Sequence, residues 1–407
     1  MAPESDPLGP TWAISLLDEE TRRNPFRVYE DLHRCGAVGW NPRIGAWVVV
    51  GYAEARRVLS DHESFSSGIR QDYKRSLYGA PTMIFSDPPV HTSLRQALAT
   101  SFSASSMRML RTTVERSVTH LLDQAFSRGS FDFITDIAAL LPVAVIGGML
   151  GIPPEDQDLL KEASDQVVSV GVVSNSTARS RRAASSALRS YFADRIRERM
   201  STGPKGDLLD AVCAMHQHPT ADQLDVMVAA CMLVLVAGHE TSTGLLGNVA
   251  LYLMKRPEIR DLMAADPSLV PQVVEEIARL EGPVQALRRW TPREVTDIGG
   301  AFVPADANVV VLTGAANRDP AYFAEPGEFS LDRAGAPPHL GFGWGGHYCL
   351  GARLARLEAH VLFTQLLGRA PIRMTVARDH VPYVPSLFVR GPAALPVSVA
   401  DPVAICL

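Results

Sequence analysis

The sequence predicts a mainly α-helical fold with small β-sheets, and two observations lead to this class. Between about residues 52 and 280, apolar side chains recur mostly at the spacing of amphipathic helices. After residue 283, short β-branched runs alternate with Gly, Pro, Asn and Asp. We therefore expect a helix-rich body with small sheets attached.

The predicted elements follow one another as apolar runs between loop signals. A helix is predicted over 11–35 and a strand over Ala46–Val50, which Gly51 closes. The main helical candidates that follow are Leu94–Phe102, Met107–Phe126, Ile134–Leu150, Asp156–Val170, Arg179–Met200, Asp222–Lys255 and Pro271–Leu280, and then come a strand at Ala307–Leu312 and a helix at about 350–368. The sequence contains no repeat or long linker, so we expect a flexible segment 1–10 and a single domain over 11–407.

The composition excludes several classes of protein. The chain has 407 residues, of which 46% are hydrophobic and 20% charged, and a formal net charge of −5. Without a long Lys/Arg block, no nucleic-acid partner is expected. The N-terminus lacks the basic and apolar regions of a secretory signal, and the longest apolar run, Val226 to Gly238, is shorter than the ~20 residues of a membrane span. We expect a cytoplasmic protein with no membrane anchor.

One of the five scattered cysteines lies in a setting unlike the others. Cysteines at 35, 213, 231, 349 and 406 form no CxxC pair, which argues against a disulfide framework and for a reducing compartment. Four glycines precede Cys349 within a short loop, and an amphipathic helix follows it. A helix N-terminus favours a thiolate, and glycines let the loop pass close to a flat ligand. Such a thiolate suits the axial position of an iron porphyrin.

Other interpretations of this loop remain open from its residues alone. Gly341-x-Gly343-x-x-Gly346 matches the dinucleotide fingerprint, although Ala336-Pro-Pro-His339 precedes it instead of a strand. Cys349 could also be a catalytic nucleophile with His347 as its base. A third possibility is that Cys349 is an inert buried thiol. The residues of the loop alone do not decide between an inert thiol and a haem ligand.

Several motifs in a fixed order resemble the cytochrome P450 superfamily. Phe342-x-x-Gly345-x-His347-x-Cys349-x-Gly351 resembles its haem-binding signature at every position. Ala237-Gly-His-Glu-Thr241 resembles the oxygen-activation segment of the family's long central helix, and Glu276-Ile-Ala-Arg279 resembles its ExxR motif. The resemblance, which runs from about residue 12 to the C-terminus, is to the soluble bacterial members. It implies the P450 fold, with a long central helix over the haem and a smaller β-rich region.

The resemblance implies haem b as the cofactor, with the Cys349 thiolate as the iron ligand. Carboxylates pair well with cationic and hydrogen-bonding side chains. For the two propionate groups of the haem, the resemblance implies four such residues, which are His91, Arg95, Arg289 and His347. The implied cofactor-binding residues are His91, Arg95, Gly238, Arg289, Phe342, Gly343, His347, Cys349 and Gly351. Arg288 competes with Arg289 for its role, and a surface position is the alternative for either.

The polar residues in the middle of the central helix have a structural and a catalytic interpretation. Thr241 can hydrogen-bond a backbone carbonyl one turn back, and Glu240 could simply lie at the surface. The resemblance implies instead that Thr241 supports dioxygen and its protonation and that Glu240 relays protons. Gly238 would leave space for dioxygen, whereas His239 is interpreted as a variable position and not as a ligand.

Glu276 and Arg279 are three residues apart and therefore share one helix face. Considered alone, such a pair is usually a solvated ion pair of little energetic value. The resemblance implies instead that the pair is buried, that Arg333 completes it, and that the three residues hold the cysteine loop in place. Their implied role is structural.

The resemblance implies a monooxygenase that inserts one oxygen atom of O2 into a hydrophobic small molecule, by hydroxylation or epoxidation. Polyketide, terpenoid or steroid biosynthesis is the expected setting. The implied pocket walls include the loop Ser66–Phe85, and the individual residues are Phe85, Leu233, Ala237, Val284, Leu287, Leu387 and Phe388.

The expected electron donors are separate proteins. No reductase-like segment follows the cysteine helix in the chain given, so we expect electrons from ferredoxin and ferredoxin reductase, with NAD(P)H as their source. We also expect a monomer. Two alternatives are a peroxide-driven peroxygenase and a haem-binding sensor or carrier without turnover. The Glu240–Thr241 pair argues against both.

Overall fold

The computed structural model describes residues 11–400, except 13, 17, 71–76, 169–174, 334 and 378–379. The segment 1–10, residues 71–76 of the loop Ser66–Phe85, and Cys406 therefore lie outside the described residues. Two compact units make up the chain. The cysteine unit comprises Met1–Gly68, Glu275–Cys349 and Tyr383–Gly391, and the helical unit comprises Ile69–Val274, Leu350–Pro382 and Pro392–Leu407. The expectation of a single domain stays a prediction.

Helices are the dominant elements, and we number them in chain order. They are α1 (Glu19–Arg23), α2 (Phe26–Cys35), α3 (Tyr52–Ser60), α4 (Val90–Ala99), α5 (Ala104–Ser127), α6 (Leu140–Met149), α7 (Pro154–Val168), α8 (Asn175–Thr202), α9 (Leu208–Cys213), α10 (Ala221–Lys255), α11 (Pro257–Ala265), α12 (Val270–Glu281), α13 (Thr313–Ala316) and α14 (Ala352–Leu367). A π-helical turn at Ile134–Ala138 precedes α6.

The strands form small sheets. They are β1 (Val38–Asn41), β2 (Ala46–Val49), β3 (Ser130–Asp132), β4 (Leu287–Trp290), β5 (Val295–Ile298), β6 (Ala301–Val303), β7 (Asn308–Val311), β8 (Ile372–Met374) and β9 (Pro396–Val399). In the cysteine unit, β1-β2-β7-β4 form one sheet and β5-β6 another, while β3-β9-β8 belong to the helical unit. Only the β2–β7 pair is parallel among the described strand pairs.

The predicted class is confirmed, and most predicted helices occur with ends moved by a few residues. The predicted helix over 11–35 is wrong in part, because its first residues are not helical and Pro25 separates α1 from α2. The predicted helix Ile134–Leu150 begins instead with the π-helical turn, where the Asp132 side chain accepts from the backbone of Ile134 and Thr135. No prediction was made for α3, α9 or α11.

The long central helix of the helical unit is α10. Thr220 and Gln223 form a capping box at its start, and α6, α7, α8, α9 and α14 pack against it. By length and composition alone it could cross a membrane, although more than half of its most apolar window is buried inside the protein. The helix has the predicted extent of Asp222–Lys255 to within one residue, and it is longer than the thirteen-residue apolar run from which no membrane anchor was expected. The buried core helix of a protein has the same apolar composition as a membrane-spanning helix. Composition alone therefore does not identify α10 as a membrane span.

Candidate active site

The loop before Cys349 folds back on itself within the cysteine unit. The Cys349 backbone N–H donates to the Phe342 carbonyl at 2.8 Å. Gly343 and Gly345 adopt positive φ angles of 73° and 69°, a region that L side chains rarely occupy. A Cβ at Gly345 would also lie only 2.8 Å from the Leu59 carbonyl oxygen. Glycine is therefore required at this turn for two independent reasons.

Cys349 is an exposed residue of this loop and forms no disulfide bond. Helix α14 begins at Ala352 with Gly351 as its N-cap, so Cys349 lies two residues before the cap and not in the first helical turn. The sequence prediction placed it directly at the helix N-terminus. A 3₁₀ turn at Gly345–His347 precedes the cysteine, and Leu350 and Gly351 separate it from the first helical residue.

The dinucleotide interpretation of the glycines is wrong. That fingerprint needs a strand before it and an α-helix directly after it. Residues 336–339, before Gly341, form no strand, and the last glycine enters the 3₁₀ turn. Cys35, Cys213 and Cys231, the other described cysteines, are also free, as expected for a chain without a disulfide framework.

A buried ion-pair network connects α12 with the segment that precedes the loop. The Arg279 guanidinium donates twice to the Glu276 carboxylate, at 2.7 and 2.8 Å, and Arg333 donates to the same carboxylate at 2.7 Å. The Glu276 and Arg279 side chains are only 7% and 3% exposed. Arg279 also donates to the backbone carbonyls of Asn317, Pro326 and Glu328. The side chains of Glu276, Arg279 and Arg333 are therefore in contact. The alternative of a solvated surface ion pair is excluded by their burial.

Strand β4 distinguishes the two adjacent arginines. Arg288 is exposed and donates to the Asn308 side chain at 2.8 Å. Arg289 is buried, with 7% exposure, and donates to the Arg288 carbonyl. Successive strand residues point to opposite faces, so a ligand buried on this side would meet Arg289.

The polar segment of α10 has the hydrogen bond that its sequence predicts. The Thr241 hydroxyl donates to the Ala237 carbonyl at 2.7 Å. Ala237 is exposed although the six preceding residues are buried, and Gly238 is partly exposed. The α10 surface is therefore accessible at this point. Burial, with a smaller contribution from the negative charge of Asp165, raises the pKa of Glu240 to about 7.

The remaining predicted site residues fall into both units. In the helical unit, His91 is buried and Arg95 half-buried on one face of α4, and Phe85 lies beside Tyr78 with ring centroids 6.2 Å apart. Leu233 is only 1% exposed and so offers almost no accessible surface. The cysteine unit contains the half-buried residues Val284, Leu287, Phe342, His347, Leu387 and Phe388.

Sequence reasoning missed two buried acid–base groups of the helical unit. Glu358 on α14 is completely buried, and burial raises its pKa to about 8, with the Ser242 hydroxyl opposing the shift. His239 is buried next to Asp165 of α7. The sequence signal for Glu358 was its position on the apolar face of α14, three residues before Val361 of that face.

Comparisons with known proteins identify the family. A family model described as Cytochrome P450 matches residues 165–382. Vitamin D(3) 25-hydroxylase of Pseudonocardia autotrophica is 35% identical over 86% of this chain and 87% of its own. 6-Deoxyerythronolide B hydroxylase of Saccharopolyspora erythraea is 32% identical over 91% of this chain and 95% of its own. The chain belongs to the cytochrome P450 family.

A solved P450 structure agrees over nearly the whole chain. CYP109E1 of Bacillus megaterium, in complex with testosterone, has a TM-score of 0.85 and 30% identity, over 94% of this chain and 100% of its own. P450 enzymes bind haem through a cysteine thiolate. The residues of this chain fit such a group, because Cys349 is exposed, forms no disulfide bond and follows a glycine-rich turn that leaves the loop without bulky side chains. The protein is therefore a haem-dependent monooxygenase of the P450 class.

Proposed function

We propose that this P450 hydroxylates or epoxidises a hydrophobic small molecule of the steroid, terpenoid or polyketide type. The observation that carries the proposal is the Glu240–Thr241 pair. Burial raises the pKa of Glu240 to about 7, and the hydroxyl-bearing Thr241 follows it directly in sequence, where the α10 surface becomes accessible. A carrier or sensor needs no such acid–base pair.

Cys349 would hold the haem, which when bound supplies reductive activation of dioxygen, assisted by the electron density of the thiolate. Phe342, Gly343 and Gly351 would shape the contact surface of the loop. For the propionates we propose His91, Arg95, Arg289 and His347, because cations and hydrogen-bond donors match carboxylates. The buried position of Arg289, opposite to that of Arg288, supports this choice.

Glu240 and Thr241 would move and hold protons. A group whose pKa lies near the working pH is present in both protonation states and can therefore accept and release a proton readily. The Thr241 hydroxyl donates a hydrogen bond to the Ala237 carbonyl. The lone pairs of the hydroxyl oxygen therefore remain available to accept a hydrogen bond. Gly238 stays the residue that we propose for dioxygen access, and a Cβ at this position would meet the Ile146 side chain.

Glu276, Arg279 and Arg333 would hold the backbone that leads to Cys349. Buried charges are strongly destabilising unless they are paired. The Glu276 carboxylate also accepts from the backbone N–H of Ser330 at 3.1 Å, so the network fixes main chain as well as side chains. Its proposed role is positioning and not chemistry.

The proposed substrate-pocket residues are Phe85, Leu233, Ala237, Val284, Leu287, Leu387 and Phe388, of which Leu233 is almost completely buried. Pockets for small molecules are mostly apolar, and these residues are apolar. The names of two relatives and the ligand of the solved structure concern vitamin D(3), 6-deoxyerythronolide B and testosterone. These names support a large, mostly apolar substrate, and we place the enzyme in natural-product biosynthesis or modification.

Ferredoxin and ferredoxin reductase are the proposed electron donors to a cytoplasmic, monomeric enzyme. The exposed Arg353 on α14 and its neighbour Arg356 are proposed docking points for an acidic ferredoxin. Charge reversal at Arg353 should slow reduction without changing the absorption spectrum. Unchanged reduction rates would place the donor elsewhere.

The experiment that tests the function is turnover under ¹⁸O2 with ferredoxin, reductase and NADPH. A panel of steroids, secosteroids and macrolide precursors is first screened for changes in the haem absorption spectrum. Binding ligands should yield products that carry one ¹⁸O atom. Product formed with hydrogen peroxide but not with NADPH would support the peroxygenase alternative, and spectral binding without product would support a carrier.

A further inference from the structure

One face of α3 packs against the glycine-rich loop that precedes the proposed iron ligand. Tyr52, Arg56 and Ser60 are spaced four residues apart and therefore lie along one side of this helix. In its first turn, the Tyr52 hydroxyl donates to the Pro338 carbonyl at 2.6 Å. At its end, a Cβ on Gly345 would lie only 3.0 Å from the Ser60 Cα atom. The loop is therefore in contact with both ends of α3.

A contact between a cation and an aromatic ring lies between these two points. The Arg56 guanidinium carbon is 4.1 Å from the centroid of the Trp344 ring and 5.8 Å from that of the Tyr52 ring. The Arg56 Nε atom is buried and has no hydrogen-bond partner in the part of the chain that the structure describes. Aromatic faces attract such a cation, and the attraction is stronger where water is excluded. The two rings therefore fix the position of the Arg56 charge.

Trp344 belongs to the closed turn that ends at Cys349. The hydrogen bond from the Cys349 backbone N–H to the Phe342 carbonyl, at 2.8 Å, closes residues 342–349 into this turn. A displacement of Trp344 would therefore move the backbone that ends at the cysteine. The contact with α3 thus reaches Cys349 through the turn, and the positive charge of Arg56 lies beside the same turn.

We propose that Arg56 is a positioning residue for the iron ligand and acts through Trp344. The stacked guanidinium holds the turn against α3, and its positive charge favours the thiolate over the thiol of Cys349. The same charge favours the ferrous over the ferric state of the bound haem, because reduction makes the site more negative by one charge. The inference rests on the proposed role of Cys349 as the iron ligand.

The test compares holoenzyme variants at two adjacent arginines of α3. Arg56→Met removes the charge and keeps a long side chain that packs well on aromatic rings, whereas Arg56→Lys keeps the charge. Arg56→Gln provides a second neutral variant. Arg57→Met removes an equal charge from an exposed position, where Arg57 donates to the Asp297 carbonyl at 2.7 Å. Redox titration followed by the haem absorption measures the ferrous-to-ferric ratio at a fixed potential.

We expect Arg56→Met and Arg56→Gln to lower this ratio by about fivefold, since a charge that is partly shielded from water is lost. Arg57→Met should change the ratio by less than about twofold, because water and salt screen an exposed charge. Arg56→Lys should restore the ratio towards the wild-type value. A side chain that only filled space would be replaced equally well by methionine.

A double-mutant cycle tests whether Arg56 acts through Trp344. Trp344→Leu should lower the ratio by itself, because Arg56 loses the ring that fixes its charge. Arg56→Met should then have a smaller effect in the Trp344→Leu background than in the wild-type protein. Equal effects in the two backgrounds would show that the residues act independently and would overturn the inference.

Failure of the inference can be separated from failure of the proposed iron ligand. If the reduced wild-type protein under carbon monoxide has the absorption band of thiolate-ligated haem, but Arg56→Met titrates like Arg57→Met, the inference about Arg56 is wrong. If Cys349→Ala keeps that band, the assignment of Cys349 is wrong, and the proposed role of Arg56 fails with it.

Discussion

The Thr241 hydroxyl donates to the Ala237 carbonyl at 2.7 Å, and the Thr243 hydroxyl donates to the His239 carbonyl at 2.9 Å. Both bonds connect residues four positions apart, which is the usual way to satisfy a hydroxyl within a helix. The geometry of the bond therefore does not distinguish the two threonines. Their positions do, because Thr241 follows Glu240 directly, one turn beyond the exposed Ala237.

This matched pair provides a test at a single residue. Thr241→Val should lower the fraction of NADPH electrons recovered in product by about tenfold or more, since a positioned proton donor contributes ~10²–10⁴-fold to a rate. Thr243→Val loses the same kind of hydrogen bond and should leave coupling close to wild type. Product and peroxide assays on both variants provide the comparison. Equal coupling in the two variants would reduce Thr241 to a structural residue.

At the residue scale, the sequence predicts contacts between residues that are close together along one helix. The bond from Thr241 is such a case, because a helix fixes which carbonyl lies one turn back. The contact of His239 with Asp165 could not be predicted, because it depends on how α7 packs against α10. The sequence interpretation of His239 as a variable position therefore missed its buried environment.

Among the elements, α12 contributes two buried charged residues, Glu276 and Arg279. Glu276 pairs with Arg279 and Arg333, whereas its neighbour Glu275 is 34% exposed and lies 3.2 Å from His339. Adjacent carboxylates of one helix thus have opposite environments. Removal of a buried partner leaves the remaining charges unpaired, which is strongly destabilising.

Glu276→Gln should therefore lower the free energy of unfolding by about 3–5 kcal/mol, and it should also weaken haem retention. Glu275→Gln should change stability by less than about 1 kcal/mol, since Glu275 is partly exposed and water screens its interaction with His339. Urea unfolding of both holoproteins, followed by circular dichroism and by the haem absorption, measures the difference. Equal losses of stability in the two variants would mean that the Glu276–Arg279–Arg333 network does not hold the backbone that leads to Cys349.

The limits of sequence-based prediction are visible in particular elements. The helices with long apolar periodicity, such as α5, α10 and α14, were predicted within a few residues. Helix α11 was missed because Pro257 follows Arg256 immediately after α10, so a break was evident but not a new helix. Helix α3 was missed because its nine residues are too short for a clear period.

At the scale of the whole molecule, one carboxyl group connects stability to pH. Burial raises the pKa of Glu358 from 4.5 to about 8, so the folded protein retains a proton that the unfolded chain has already released. The stabilising contribution is complete below pH 4.5 and is lost as pH rises through about 8. The loss follows a slope of up to about 1.4 kcal/mol per pH unit.

Glu358→Gln replaces this group with one that stays neutral. We expect the variant to gain stability relative to wild type as pH rises from about 5 to 8, with the difference increasing by up to about 1.4 kcal/mol per pH unit. Unfolding in urea at several pH values measures it. A difference that does not change with pH would show that Glu358 is ionised in the folded protein.

Family membership was predictable for the whole chain because its motifs keep a fixed order over most of the sequence. The substrate was not predictable, because the proposed pocket residues lie on separate segments and are all apolar, and many molecules match such a surface. The same apolar character underlies the agreement with relatives named for quite different compounds.

The measurement that tests the central claim most directly is the absorption spectrum of the reduced protein under carbon monoxide. We expect the red-shifted Soret band of thiolate-ligated haem, and we expect Cys349→Ala to lose it while Cys231→Ala keeps it. A wild-type protein that binds no haem, or whose carbonyl band has the position of histidine ligation, would contradict the assignment of Cys349 and the proposed chemistry with it.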